Sequence, residues 1–117
     1  MELPELVHAL LAYDTLAARQ WVADSVRCQF AWNSVPRPAG LDVSELAVAA
    51  AMAELLAERA GQTPPAWVTK VGAAASPIWL VQAARTMPRL RRLCELDGPE
   101  PLRRRGILVP PEFLTFA

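Results

Sequence analysis

The sequence holds one histidine, His8, and two cysteines, Cys28 and Cys94, in 117 residues. A zinc site would therefore have to borrow carboxylates, which structural zinc sites seldom do. The cysteines are far apart and form no C-x-x-C pair, which argues against a disulfide framework or a redox motif. Two buried thiols in a reducing cytoplasm are the expected arrangement. Glycine is equally sparse: five residues stand singly at 40, 61, 72, 98 and 106, so no glycine-rich loop cradles a phosphate. There is no G-x-S-x-G or S-x-x-K arrangement, and Ser25, Ser34, Ser44 and Ser76 read as surface or capping residues. The longest apolar run, Leu46 to Ala53, stops at Glu54. It falls well short of the roughly 20 residues a membrane span needs. The opening "MELPELVHALLAYD" carries acids where a signal peptide carries basic residues. No cofactor, metal or membrane is implied by any of this.

What is present is an ordinary globular composition, 53% hydrophobic and 21% charged. Its length suits a single domain, residues 1–117, able to bury roughly two thirds of its unfolded surface without staples. Net charge is zero but unevenly spread. Residues 1–60 carry eight acids and four arginines, a net −4. Residues 61–117 carry eight cations and four acids, a net +4. The second half is thus the side for an anionic partner, unless the two halves simply face one another.

Proline punctuates a series of helices. Pro4 opens a short one through about Ala12. Asp14 caps a second that runs toward Phe30, with Trp21 and Cys28 expected inward. "NSVPRPAG" over 33–40 is a loop, because two prolines and a glycine cannot continue a helix. Asp42 and Glu45 make a capping box for the third helix, and Gly61 supplies its stop. Between them the segment is apolar nearly all round, with Glu54, Glu58 and Arg59 as its only wet edge. Such a helix belongs in the middle of a bundle. A short helical turn follows over 63–72. Ser76 and Pro77 then resemble another helix start, and Pro88 a further one that ends at Asp97-Gly98-Pro99. In this last helix Leu90, Leu93 and Cys94 face inward while Arg89, Arg91, Arg92 and Glu95 stay wet. The fold expected is all-α: a compact bundle of about five helices with a docked, partly extended C-terminal tail.

Chemistry is thin. His8 lies in an apolar helix with no orienting partner close in sequence, which favours a structural role over general acid–base work. The four tryptophans read as core anchors, with Trp32 at the mouth of the proline loop the one expected to be partly exposed. Catalysis is not expected. The arginines are the informative charges, because guanidinium forks bind carboxylates and phosphates bidentately. Arg103, Arg104 and Arg105 run directly into an apolar ending that includes Ile107, Leu108, Val109, Phe113, Leu114 and Phe116. Left in water that ending would be a sticky patch, so it must dock on its own bundle or on another chain.

"PAWV" at 65–68, "SPIWLVQAA" at 76–84 and above all "PLRRRGILVPPEFL" at 101–114 carry a resemblance. Over residues 64–117 the chain resembles bacterial helical modules of antitoxin-like regulators encoded beside nucleotidyltransferase-fold toxins of the abortive-infection type. In those modules an arginine triplet is followed by a small or polar residue, an aliphatic pair, valine, a short turn and Phe-Leu. Gly106 stands where they more often carry asparagine, and the helix-turn-helix many of them have is missing. The resemblance implies a non-catalytic bacterial interaction protein that masks a toxin's basic or nucleotide-binding face. Its contact surface would comprise Arg103, Arg104, Arg105, Ile107, Phe113 and Phe116. Two other readings stand beside it: a nucleic-acid-binding accessory domain using Arg89, Arg91 and Arg92, and a small ligand-binding protein with a pocket walled by Met52, Trp67 and Trp79.

Overall fold

The capping box at Asp42 forms as the sequence predicts. Asp42 Oδ1 accepts from the Glu45 amide at 2.8 Å, and Glu45 Oε1 accepts from the Asp42 amide at 3.0 Å. The other end closes with Gly61 at φ +69°, where the Gln62 amide donates to Ala57 O at 2.8 Å. That bond and the left-handed glycine make a Schellman stop. Between these signals runs the central helix of the fold.

The computed structural model describes residues 2–115. Among them are five α-helices: α1 (Leu3–Leu11), α2 (Thr15–Arg27), α3 (Val43–Arg59), α4 (Pro88–Asp97) and α5 (Glu100–Arg103). Three 3₁₀ turns cover Trp32–Ser34, Ala66–Lys70 and Gln82–Arg85. Two short strands, β1 (Ile78–Trp79) and β2 (Ile107–Leu108), pair in parallel. The expected helical bundle with a docked, partly extended tail is what forms. No helix among the described residues is long and apolar enough to cross a membrane.

α3 is the hub, packed against α1, α5 and the turns at 32–34 and 66–70. Every residue from Ala47 to Ala53 is buried, and so are Leu55, Leu56 and Ala57. The alanines let neighbouring backbones come close, so a helix with few large side chains is still covered on nearly all sides.

The aromatic corner differs from expectation. Trp32 is only 2% exposed. It packs on Phe30 with ring centroids 4.8 Å apart and on Trp21 at 6.0 Å. Gln62 fastens this corner: its Oε1 accepts from the Trp32 amide at 2.9 Å and its Nε2 donates to Phe30 O at 2.9 Å. Sequence position beside a proline loop says nothing about that distant clasp. Cys28 is likewise not inward. α2 stops at Arg27 and Gln29 turns left-handed at φ +50°, which leaves Cys28 exposed while Cys94 is buried.

The third difference is Ser76–Met87. Instead of a helix it forms β1 and a 3₁₀ turn. The Ala74 amide donates to Arg105 O at 2.9 Å and the Ile78 amide to Gly106 O at 2.8 Å. Ile78 pairs with Ile107, and Trp79 with Leu108. A cap-and-proline signal is local and weak, whereas the ladder satisfies backbone groups of two segments while burying Ile107 and Leu80. The tertiary pairing wins.

Candidate functional site

The C-terminal segment docks on its own bundle. Leu102, Ile107, Val109 and Leu114 all lie in the hydrophobic core, together with the residues of α3. Their burial removes the apolar patch that a free tail would expose. Phe113 packs half-buried against the same core. Phe116 lies outside the described residues.

That docking fixes the arginine triplet, and each guanidinium has a different target. Arg103 Nη1 donates to Leu96 O, a carbonyl in the last turn of α4 that has no helical donor of its own. Arg104 Nη2 donates to Glu54 Oε1 and Arg104 Nη1 lies 4.0 Å from Glu100 Oε1. Arg105 is 3% exposed. Its Nη1 donates to Pro101 O at 2.9 Å, and its Nη2 to Val68 O at 3.0 Å and Glu54 Oε1 at 3.1 Å. Its buried Nε has no partner among the described residues.

Glu54 therefore does not belong to a wet edge of α3. One of its oxygens accepts from two arginines. A carboxylate on the central helix becomes tolerable near the core because two cations and a set of hydrogen bonds surround it. The acidic first half and the basic second half do face one another here, as charge spacing allowed.

Two of the six predicted contact residues are thereby internal. Arg105 and Ile107 are buried within the chain's own fold and offer no surface. The reason is geometric: Arg105 lies in the turn that joins α5 to β2, its amide donating to Leu102 O, and from there its side chain reaches Pro101 O, Val68 O and Glu54 of α3. Arg103 and Arg104 remain exposed beside this clasp, and Phe113 is half-exposed. The C-terminal turn gains one more tie from Arg59, whose Nη1 donates to Phe113 O at 2.6 Å. Desolvation holds the Arg59 guanidinium pKa below its ordinary value, with the neighbouring Glu58 charge opposing that fall.

On α4, Arg89, Arg91 and Arg92 are all exposed. Arg91 is committed internally: Nε lies 3.5 Å from Glu95 Oε1, and the guanidinium sits 5.0 Å from the Trp79 ring centroid. Arg89 and Arg92 have no partner among the described residues and fall three apart on one helix face.

The remaining candidates are less favoured. Met52 has no exposed surface, so it walls no pocket. Trp67 donates Nε1–H to Val35 O at 2.9 Å, fastening the turn at 66–70 to the proline loop. His8 does gain a partner from far along the chain, Glu45, with Nε2 3.2 Å from Oε2, yet its side chain is 61% exposed. Glu45 is already engaged in the α3 capping box, so this pair ties α1 to the start of α3.

No family model matches the chain, and no curated protein or solved structure is significantly similar to it.

Proposed function

We propose that this chain is a non-catalytic, antitoxin-like interaction module. It binds a partner protein through the surface around Arg103, Arg104 and Phe113. A partner of the nucleotidyltransferase fold is what the resemblance over residues 64–117 implies. The observation that supports the reading is the clasp of Glu54 with Arg104 and Arg105. It anchors the backbone on which Arg103 and Arg104 sit, so those guanidiniums meet a partner pre-ordered, at low entropic cost. Arg105 supports this surface from inside and makes no contact of its own.

The test is binding to a nucleotidyltransferase-fold protein from the same operon, measured with purified proteins. Arg103→Ala with Arg104→Ala is expected to weaken binding at least about tenfold, the scale of losing charge-assisted contacts. Unchanged affinity in a variant with native circular dichroism removes the reading.

A second reading rests on a different observation, the two exposed and unpartnered arginines on α4. Arg89 and Arg92 suit a phosphate backbone, and affinity for nucleic acid would then fall steeply with salt. Absence of binding at low ionic strength disposes of it.

A further inference from the structure

A groove of about 760 Å³ runs between the C-terminal half of α2, the last turn of α3 and the turn after Pro111. Val22, Phe30, Trp32, Leu56 and Leu114 supply its apolar lining, and Arg59 stands in its wall. Its size falls in the range of small-molecule sites, which are mostly apolar with a few placed polar groups.

The lining is preformed. Phe30 packs edge to face on Trp21 and on Trp32, with centroids 5.7 and 4.8 Å apart, and the two tryptophans meet at a tilt at 6.0 Å. Its internal polar groups are already engaged: Ser25 Oγ donates to Val22 O at 2.6 Å, and both ends of the Gln62 amide are bound. Leu114 is held at φ +56°, a conformation that a bulky side chain rarely adopts. One charge is left over. Arg59 makes a single hydrogen bond, to Phe113 O, and no carboxylate of the described residues lies within ion-pair distance of it. A guanidinium has five donors. An apolar trough with a cation in its wall that no carboxylate of the described residues pairs with directly, Glu58 acting on it only through space, is complementary to an apolar body carrying a negative head.

We propose that this groove binds an amphiphilic carboxylate, its alkyl chain along half-buried Phe30 over a floor of Val22, Leu56 and Leu114 and its head on Arg59. The groove adjoins the partner-binding surface proposed above through the Arg59–Phe113 bond, but its ligand is tested without a partner, so the two proposals fail separately.

Octanoate, with octanol as the neutral control, is the probe. The full chain is titrated below the micellar concentration and followed by the indole N–H resonances of its four tryptophans. The expected result is saturable binding at one equivalent, with the largest shift at Trp32 and octanoate binding about tenfold tighter than octanol. Arg59→Gln is expected to remove that preference for the charged probe. Since Arg59 also anchors the C-terminal turn, a second pair of variants keeps the test sharp. Val26 lines the groove and is 70% exposed, so charge there does not disturb the core. Val26→Glu should weaken octanoate binding and Val26→Lys strengthen it, with octanol unaffected by either. The proposal is overturned by no saturable binding, by equal affinity in the two Val26 variants, or by shifts centred away from Trp32. A doubling of mass at saturation, or binding only after residues 116–117 are removed, overturns it as well.

Discussion

Arg105 and Glu54 are 51 residues apart in sequence, yet the arginine lies buried with its Nη2 3.1 Å from the Glu54 carboxylate. The pair joins the C-terminal segment to the central helix, and Val68 O and Pro101 O complete the arginine's shell.

Arg105→Ala is expected to destabilise the fold by about 3 kcal/mol, since breaking a buried pair strands its other members. Arg104 still neutralises Glu54, which keeps the loss at the lower end of the range. Arg105→Lys should recover little, because one ammonium does not reproduce a fork that reaches three acceptors. Urea denaturation of the two variants checks both statements.

Gly98 carries the tightest backbone packing. A Cβ there would sit 2.6 Å from Val109 O and 2.8 Å from Cys94 O, both main-chain atoms that cannot rotate away. Gly98→Ala should therefore cost about 2 kcal/mol, in the range of core overpacking. Gly72→Ala, where a Cβ meets nothing within 4 Å, is the matched control and should be near neutral. Thermal melts of the two variants decide the matter.

Gly106 has φ +77° and open space around its missing Cβ. Asparagine is the side chain best tolerated in that left-handed region, whereas a β-branched one is not. Gly106→Asn should thus leave stability nearly unchanged, while Gly106→Val loses about 2 kcal/mol. Denaturant midpoints for the two variants, on a common baseline, test this.

The two thiols should separate by reactivity. Cys28 is exposed; Cys94 is buried, and burial pushes its pKa up, with Glu112 and Glu95 adding to the rise against an opposing backbone hydrogen bond. At pH 8 a thiol reagent should modify one cysteine in the native chain and two after denaturation. The linkage sign follows from the raised pKa. Above about pH 8.5 the unfolded chain ionises at this position first, so the Cys94 contribution to stability falls as pH rises. Mass spectrometry counts the labels, and a Cys94→Ala background isolates the pH slope.

Hydrogen exchange should report the docked tail directly. The amides of Ala74 and Ile78 are bonded to Arg105 O and Gly106 O and should exchange slowly, as one cooperative unit with β2. Fast exchange at both positions in the isolated chain would mean that the tail is not fastened as described.

Much of the architecture was legible in the residues. Asp14, the Asp42–Glu45 box, Gly61, Pro88 and Gly98 mark helix ends through contacts only three or four residues long. The apolar ending had to be buried somewhere, which periodicity does not need to show. Three positions misled for reasons of distance. Ser76-Pro77 resembles a helix start, but Ile78 and Trp79 are claimed by Ile107 and Leu108. Trp32 stands beside a flexible-looking loop, but Gln62 and Phe30 enclose it. Glu54 follows the pattern of a solvated edge with Glu58, but only Glu54 meets the arginines. Of the candidate surface, Arg103 and Arg104 could be read from sequence as a basic cluster; which of the three neighbours faces inward could not.

The amino-acid order alone settled the ends of α1, α3 and α4 and that α3 is central, because capping, proline geometry and apolar periodicity act within one or two turns. The packed structure alone decided which charges are spent internally and which remain outside. Neutralising Glu54 takes groups some fifty residues away, and only the closed fold brings an anion and its cations to hydrogen-bonding distance.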